Sequence, residues 1–442
     1  MRMKRSRFYI LGVWLFLGSL LSESWAQSAF ELISRNRNIS ASNYSIYPDS
    51  IDFYETAPPA GKKPFYLSHY GRHGSRYLSN RKAYDIPYSI LVKADSLGKL
   101  TAVGQTIKKE VEEILQDSEG RWGDLTGIGK RQHRDITRRM VKRYPEIFSG
   151  HAHIDARSTT VNRCIISMGE AMQQLIVMNP NLNITMESSK RDMWYMNHQD
   201  VRLRNMMNSP EVNAAFGEFI KTRVGNPRLM QLIFNDSLYV KEQVDEKWLC
   251  YYLLKAALIQ QNTSMGERSH LIDYFTYEEI HHFWQQENAW WYIRYGPSPL
   301  NGGEQPYTQR YLLRRIIEQA DSCIHQEHPG AQLRFGHETI VLPLVCLLGV
   351  NGFDVQVDNL EQLEPMGWWA CLVFPMASNI QLVFYRDNPN DNDILVKVLL
   401  NEKEAFLPLP DDQAPYYRWK DFREHYLHKL DAYEEKRAKD LH

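Results

Sequence analysis

The chain has 442 residues, with 52 Lys and Arg set against 53 Asp and Glu, and 43% of its residues are hydrophobic. A balance so near zero gives no general attraction to nucleic acid or anionic lipid, so any anion it recognises must be met by a local basic cluster. The length is too great for one simple core and predicts two packed parts.

At the N-terminus, Arg2, Lys4, Arg5 and Arg7 precede an apolar run from Phe8 to Leu21, closed by Ser24-Trp25-Ala26. This is the pattern of a secretory signal peptide, with cleavage expected after Ala26 and no stable membrane anchor afterwards. The mature charge is then about −4 and the expected location periplasmic or secreted. Residues 27 to 62 are polar and turn-rich, with Tyr44, Tyr47 and Tyr54 interspersed, and read as an extended arm.

Pro64 to Tyr70 predicts a buried strand ending at Gly71. Gly127 to Tyr144, after a Thr126 cap, predicts an amphipathic helix. A strand near Ile154, a helix from Thr159 to Met178 and a strand from Asn183 to Glu187 follow. Alternation of this kind predicts an α/β fold with a mostly parallel sheet flanked by helices. From 196 to 325 the pattern turns to aromatic-rich helical stretches, such as Trp248 to Leu258 and Tyr274 to Tyr295, and reads as a helical insertion. A strand at Gln332 to Gly336 and a helix at Thr339 to Leu348 resume the alternation. Strands at Trp369 to Phe374 and Gln381 to Phe384 complete it. The expected core is therefore discontinuous, 27–195 with 326–442.

Five cysteines allow at most two disulfides; Cys164 and Cys346 lie at helical spacing among apolar residues and read as buried thiols. His69 and His73, His151 and His153, and His281 with His282 lack the pattern of a metal helix. The basic run from Lys130 to Arg143 reads as a solvated helix face rather than a nucleic-acid site.

The sharpest local signal is Arg72-His73-Gly74-Ser75-Arg76, at the carboxyl end of the first predicted strand, where ligand sites of open α/β sheets lie. A neutral imidazole can attack phosphorus, flanking guanidiniums can neutralise the phosphoryl oxygens, and Gly74 allows close backbone approach. Arg81 and Lys82, just downstream, are placed to meet further phosphates.

This pentapeptide resembles the signature of the histidine acid phosphatases of the histidine phosphatase superfamily, which include phytases. Three further segments match in order: Leu125-Thr126 with Gly129 and Gln132, Arg157-Ser158-Thr159 with Arg163, and Phe335-Gly336-His337-Glu338-Thr339. The resemblance implies a phosphohistidine formed on His73, a phosphate clamp of Arg72, Arg76, Arg157 and His337, Glu338 as proton donor, and no metal cofactor. Many members carry His-Asp in the last motif and multiple inositol polyphosphate phosphatases carry His-Ala-Glu, so Glu338 stands for the aspartate or one residue early. The implied substrate is a small phosphate ester of the inositol polyphosphate type. A broad acid or sugar phosphatase, a phosphotransferase or mutase, and a non-catalytic binding protein are the alternatives.

Overall fold

The computed structural model describes residues 28–51, 54–410 and 413–440. The expected signal segment lies outside them. Among the described residues no helix is long and apolar enough to cross a membrane.

Eight strands form one mixed sheet: β1 (Lys63–Arg72), β2 (His153–Ser158), β3 (Asn183–Glu187), β4 (Gly330–Gly336), β5 (Asn379–Arg386), β6 (Leu395–Leu400), β7 (Lys403–Ala405) and β8 (Tyr416–Arg418). The order is β3-β2-β4-β1-β5-β6-β7, with β8 also on β6. β3, β2, β4 and β1 run parallel, whereas β5 to β8 add antiparallel pairs. Leu67 of β1 packs with Ile154, Leu333 and Met168 under the helices Gly127–Arg143 and Asn162–Met178. Its neighbour Tyr66 faces the other way, onto the helices Arg310–Cys323, Glu338–Leu348 and Trp419–Asp440. The alternation of side chains along β1 thus divides the core into two apolar layers around the sheet.

No strand occurs between Glu187 and Gly330. A third apolar cluster joins Leu253, Leu254, Phe283 and Trp284 of that helical segment to Leu91, Ile107 and Val111. The helices Lys82–Ser96 and Ala102–Ser118, which come before the segment in sequence, therefore belong to its packing.

Two expected elements differ. The arm is not extended: Ser28 caps a helix at Ala29–Arg35, and Asn36 caps a 3-10 stretch at Arg37–Tyr44. Trp369 to Phe374 is not a strand but surrounds a 3-10 turn at Ala370–Leu372. Its Ala370 amide donates to the Asn288 side chain (2.9 Å) instead of to a neighbouring strand. An apolar run buried among helices carries no period that distinguishes it from a strand. All five cysteines are free thiols, and Cys164 and Cys346 are buried. The basic helix Gly127–Arg143 is less solvated than expected, for Arg139 and Arg143 pair with Glu402 and Glu55.

Candidate active site

Parallel pairing aligns the carboxyl ends of β1 and β4, with Arg72 opposite Gly336 and Tyr70 opposite Arg334. The segments that follow, His73 to Arg76 and His337 to Glu338, therefore emerge side by side although more than 250 residues separate them. The loop after β1 is held on all sides. The Arg72 amide donates to the Ser378 carbonyl (2.7 Å), that of His73 to Gly336 (2.9 Å), and that of Ala377 to His73 (2.9 Å).

The Leu125-Thr126-x-x-Gly129-x-x-Gln132 segment has a structural explanation. Thr126 caps its helix by accepting from the Gly129 amide (3.2 Å) and donates its own amide to the Ser75 carbonyl (2.9 Å). Gln132 accepts from the Ser75 amide (2.8 Å) and donates to its hydroxyl (2.9 Å). His133 is bonded to the backbone of Arg72. Gly74 and Gly129 lie backbone to backbone: a Cβ on Gly74 would come 2.6 Å from Gly129 Cα, and one on Gly129 would come 2.7 Å from the Ser75 nitrogen. Backbone cannot yield as a side-chain tip can, so both positions demand glycine.

His73 is fully buried, and its Nδ1 lies 2.9 Å from its neighbour's carbonyl, Gly74 O. A carbonyl only accepts, so Nδ1 carries the proton and Nε2 keeps a free lone pair. Nε2 has no hydrogen-bond partner among the described residues and stands 3.6 Å from Glu338 Oε2. Burial holds the imidazole well below its ordinary range, aided by Arg72 and Arg76 and opposed by Glu338. The ring is neutral and nucleophilic in mildly acidic solution.

Arg72 is buried, with Nη1 on the Phe374 carbonyl (2.8 Å), Nε 3.1 Å from Glu338 and Nη2 unpartnered. Burial lowers it to about 10, so it remains charged. Arg76 lies 3.7 Å from Glu338 and over the Tyr44 ring. His337 meets the Thr159 hydroxyl at 3.1 Å and the edge of the His73 ring at a centroid distance of 5.8 Å. Burial lowers it to about 4.

Arg157 is not brought to this cluster. Its guanidinium is held by Asp155 (3.2 Å), Glu187 (3.0 Å) and Asp192 (2.7 Å), because its position on β2 turns it toward the acids of the adjoining segment. Arg163, on the first turn of the next helix, faces the cluster instead. Burial lowers it, and Arg76 and Glu338 are among the charges that act on it. Its Nε is buried and unpartnered, and no carboxylate among the described residues pairs with it.

Arg81 and Lys82 are exposed at the head of the helix Lys82–Ser96. Arg81 pairs with Asp85 (2.9 Å) and lies over the Trp122 ring. The next residue, Gly123, abuts Arg163, which a Cβ at that position would approach to 3.5 Å.

Two residues of the arm complete the site without any signal in the sequence. Asn43 donates to Glu338 Oε1 (3.1 Å), and its carbonyl accepts from Arg72. Tyr44 lies under Arg76 and near Lys255, whose charges outweigh burial and lower its hydroxyl below the ordinary value. Helical caps and polar arms are common, and nothing local marks Asn43 as a partner for a residue 295 positions away.

The electrostatics of the cluster are one-sided. Three guanidiniums, Arg72, Arg76 and Arg163, face a single carboxylate, Glu338, which leaves an excess of two positive charges in a buried place. Burial pushes Glu338 up, but Arg72, His73 and Arg76 outweigh it and hold the carboxyl well below its usual range. In this state the carboxylate form of Glu338 is thus favoured. Donor atoms of His73, His337 and Glu338 lie within 4.8 Å of one another, as metal ligands would. The surrounding guanidiniums oppose a dication there and favour a dianion.

The sequence profile of the histidine phosphatase superfamily (branch 2) matches residues 71–401, which contain every group of this cluster except Asn43 and Tyr44. The chain belongs to that superfamily. Its fold is shared with a Bifidobacterium longum multiple inositol polyphosphate phosphatase solved with inositol hexasulfate, at 17% identity and a TM-score of 0.71 over 86% of this chain and 96% of that one. A phytase from D. castellii is similar at 15% identity and a TM-score of 0.63, over 89% and 85%. No curated protein matches the chain. As a branch 2 histidine phosphatase, it carries Arg72-His73 and His337-Glu338 on adjacent parallel strand ends.

Proposed function

We propose that this protein is an exported histidine acid phosphatase that hydrolyses phosphate monoesters through a phosphohistidine on His73. The observation that carries the reading is the unpartnered Nε2 of a neutral, buried His73 facing a cluster with two excess positive charges. A phosphate monoester dianion matches that charge, and Arg72, Arg76, Arg163 and His337 surround the place where its oxygens would lie. Arg163 takes the part that the sequence resemblance gave to Arg157.

In the first step Nε2 bonds to phosphorus as the ester P–O bond breaks, and the departing alkoxide takes a proton from Glu338. In the second, water attacks the phosphohistidine, gives a proton back to Glu338 and releases inorganic phosphate as the N–P bond breaks. Glu338 is ionised while it lies on Arg72 and Arg76. A phosphoryl group that takes over these guanidiniums removes their hold on Glu338, and burial then raises it toward the protonated form that the first step needs. No residue in these steps calls for a metal.

The substrate we propose is an inositol polyphosphate or a related small phosphate ester. The fold is that of a phosphatase whose structure holds inositol hexasulfate, and Arg81, with Lys82 beside it, continues the basic surface outward from Arg163 through Trp122 and Gly123. The helical segment between residue 196 and the helix Arg310–Cys323, together with the helices Lys82–Ser96 and Ala102–Ser118, acts as a lid on the sheet core, a division that departs from the expected bounds of 196–325. The N-terminal segment directs export to the periplasm or exterior.

The test is His73→Ala with labelled phosphate ester and rapid acid quench. Wild type forms an acid-labile phosphoprotein; the variant forms none and loses turnover while keeping its fold. Turnover retained in His73→Ala refutes the nucleophile.

A further inference from the structure

The two sides of the cluster differ in chemistry. On the Arg163 side the surface is basic. Beyond His337 there is instead a cavity of about 370 Å³, walled by His337 and Thr339, by Tyr295, by residues 197–208 and by Gln305 to Gln309. It borders the proton donor, for His337 in its wall is the chain neighbour of Glu338.

Amides and hydroxyls dominate its lining. Tyr295 makes no hydrogen bond among the described residues, and burial raises its pKa, so it offers both a donor and an acceptor. Gln309 is buried, with a fixed amide. Thr308 spends its only hydrogen on the Gln305 carbonyl (2.7 Å), so it can only accept from Gln309, whose NH₂ donates to it (3.0 Å). The Gln309 carbonyl oxygen is left without a partner among the described residues.

Charges are few. Arg204 is exposed and engaged by Gln199. Asp200 is buried and ion-paired with Arg310 (3.0 Å) and Arg437 (3.5 Å); although burial pushes it up, the Leu203 amide and these two arginines keep it ionised. Burial and Arg310 lower His198, which is neutral near pH 7. A second phosphate placed here would meet one exposed arginine already engaged by Gln199, arginines already spent on Asp200, and the unpaired Gln309 carbonyl oxygen. A hydroxyl would meet donors and acceptors that can each pair with it.

We infer that this cavity receives free hydroxyls of the leaving alcohol, so that the preferred substrate is a polyol phosphate with an unphosphorylated hydroxyl beside the scissile ester. The inference rests on the phosphatase reading and refines it. A partly phosphorylated ring fits with its phosphates toward Arg163 and its hydroxyls toward Tyr295, whereas a fully phosphorylated ring must put a phosphate against the Gln309 carbonyl oxygen.

The experiment compares myo-inositol monophosphate, phytate and an aryl phosphate as substrates of wild type, Tyr295→Phe, Gln309→Met and Gln199→Lys. Loss of one net hydrogen bond, typically worth about 5-fold to 10-fold, should raise KM for the monophosphate by about that factor in Tyr295→Phe. Its kcat/KM for the aryl ester should stay within about 2-fold. Gln309→Met should act in the same direction, and Tyr295→Phe, which removes no internal contact, guards against a folding defect in it. Gln199→Lys, at an exposed position, should move the kcat/KM ratio toward phytate. Equal changes for monophosphate and aryl ester, or no change for either, overturn the hydroxyl cavity while leaving the phosphatase reading intact. Failure of wild type to cleave any of the three overturns the phosphatase reading itself.

Discussion

Replacing Glu338 by glutamine separates the two parts that its carboxylate plays. In the structure Oε2 lies 3.1 Å from Arg72 Nε, and Oε1 accepts from Asn43 (3.1 Å) and stands 3.7 Å from Arg76. Only Oε1 receives a hydrogen bond, whereas Oε2 meets the Arg72 guanidinium as an ion pair whose Nε makes no hydrogen bond among the described residues. A glutamine that turns its oxygen to Asn43 keeps that bond and sets its NH₂ group against Arg72. The variant also leaves three guanidiniums with no carboxylate, and breaking one side of a buried charge pair costs about 3–5 kcal/mol. A net destabilisation of roughly 3 kcal/mol follows once the retained hydrogen bond is credited.

Inorganic phosphate should restore much of it, since a ligand at 100 times its Kd stabilises by about 2.7 kcal/mol. It should protect the variant more than the wild type, in which phosphate must first displace the carboxylate. In single-turnover measurements the phosphorylation step should slow by roughly 10²–10⁴-fold for an alkyl ester, the usual worth of a general acid. An aryl phosphate, whose leaving group needs little protonation, should lose far less. Equal losses for the two esters, or phosphate protection no greater than in wild type, would refute both the proton-donor role and the displacement argument.

Arg163→Met should abolish most turnover, while Arg157→Met should lower stability through the stranded acids Asp155, Glu187 and Asp192 and leave kcat/KM nearly unchanged; the opposite ranking in a steady-state assay would return the clamp to Arg157. Stability should fall in acid, because burial lowers His69 and His133 to about 3 and His337 to about 4. These rings contribute stability that is complete above about 6.5, the value expected when unfolded, and lost as pH falls toward the folded values, at up to about 1.4 kcal/mol per pH unit for each. In urea titrations between pH 7 and 5, His133→Gln should take up about one proton fewer on unfolding; an unaltered slope would show that His133 is not held neutral.

Much of the site was legible in the sequence because it is built from short segments at predictable places. A strand that ends in Gly71, followed by Arg72-His73-Gly74-Ser75-Arg76, puts the nucleophile at a sheet edge, and a second strand ending at Gly336 does the same for His337 and Glu338. The Thr126, Gly129 and Gln132 spacing follows from one helical turn after another meeting the Ser75 backbone. Local pattern carries such features because they depend on residues a few positions apart and on one strand register.

Tertiary structure decided the rest. Arg157 and Arg163 both lie in the segment that resembles the family pattern, yet which one reaches His73 depends on the turn between β2 and its helix and on the acids that capture Arg157. Asn43 and Tyr44 enter the site only because the arm folds into a capped turn against Met376 and Asn262. The charge state of Glu338 is likewise set by the fold. Burial favours its neutral form, but two guanidiniums and an imidazole at 3.1–3.7 Å favour the carboxylate more strongly, and distances of that kind exist only in the folded chain.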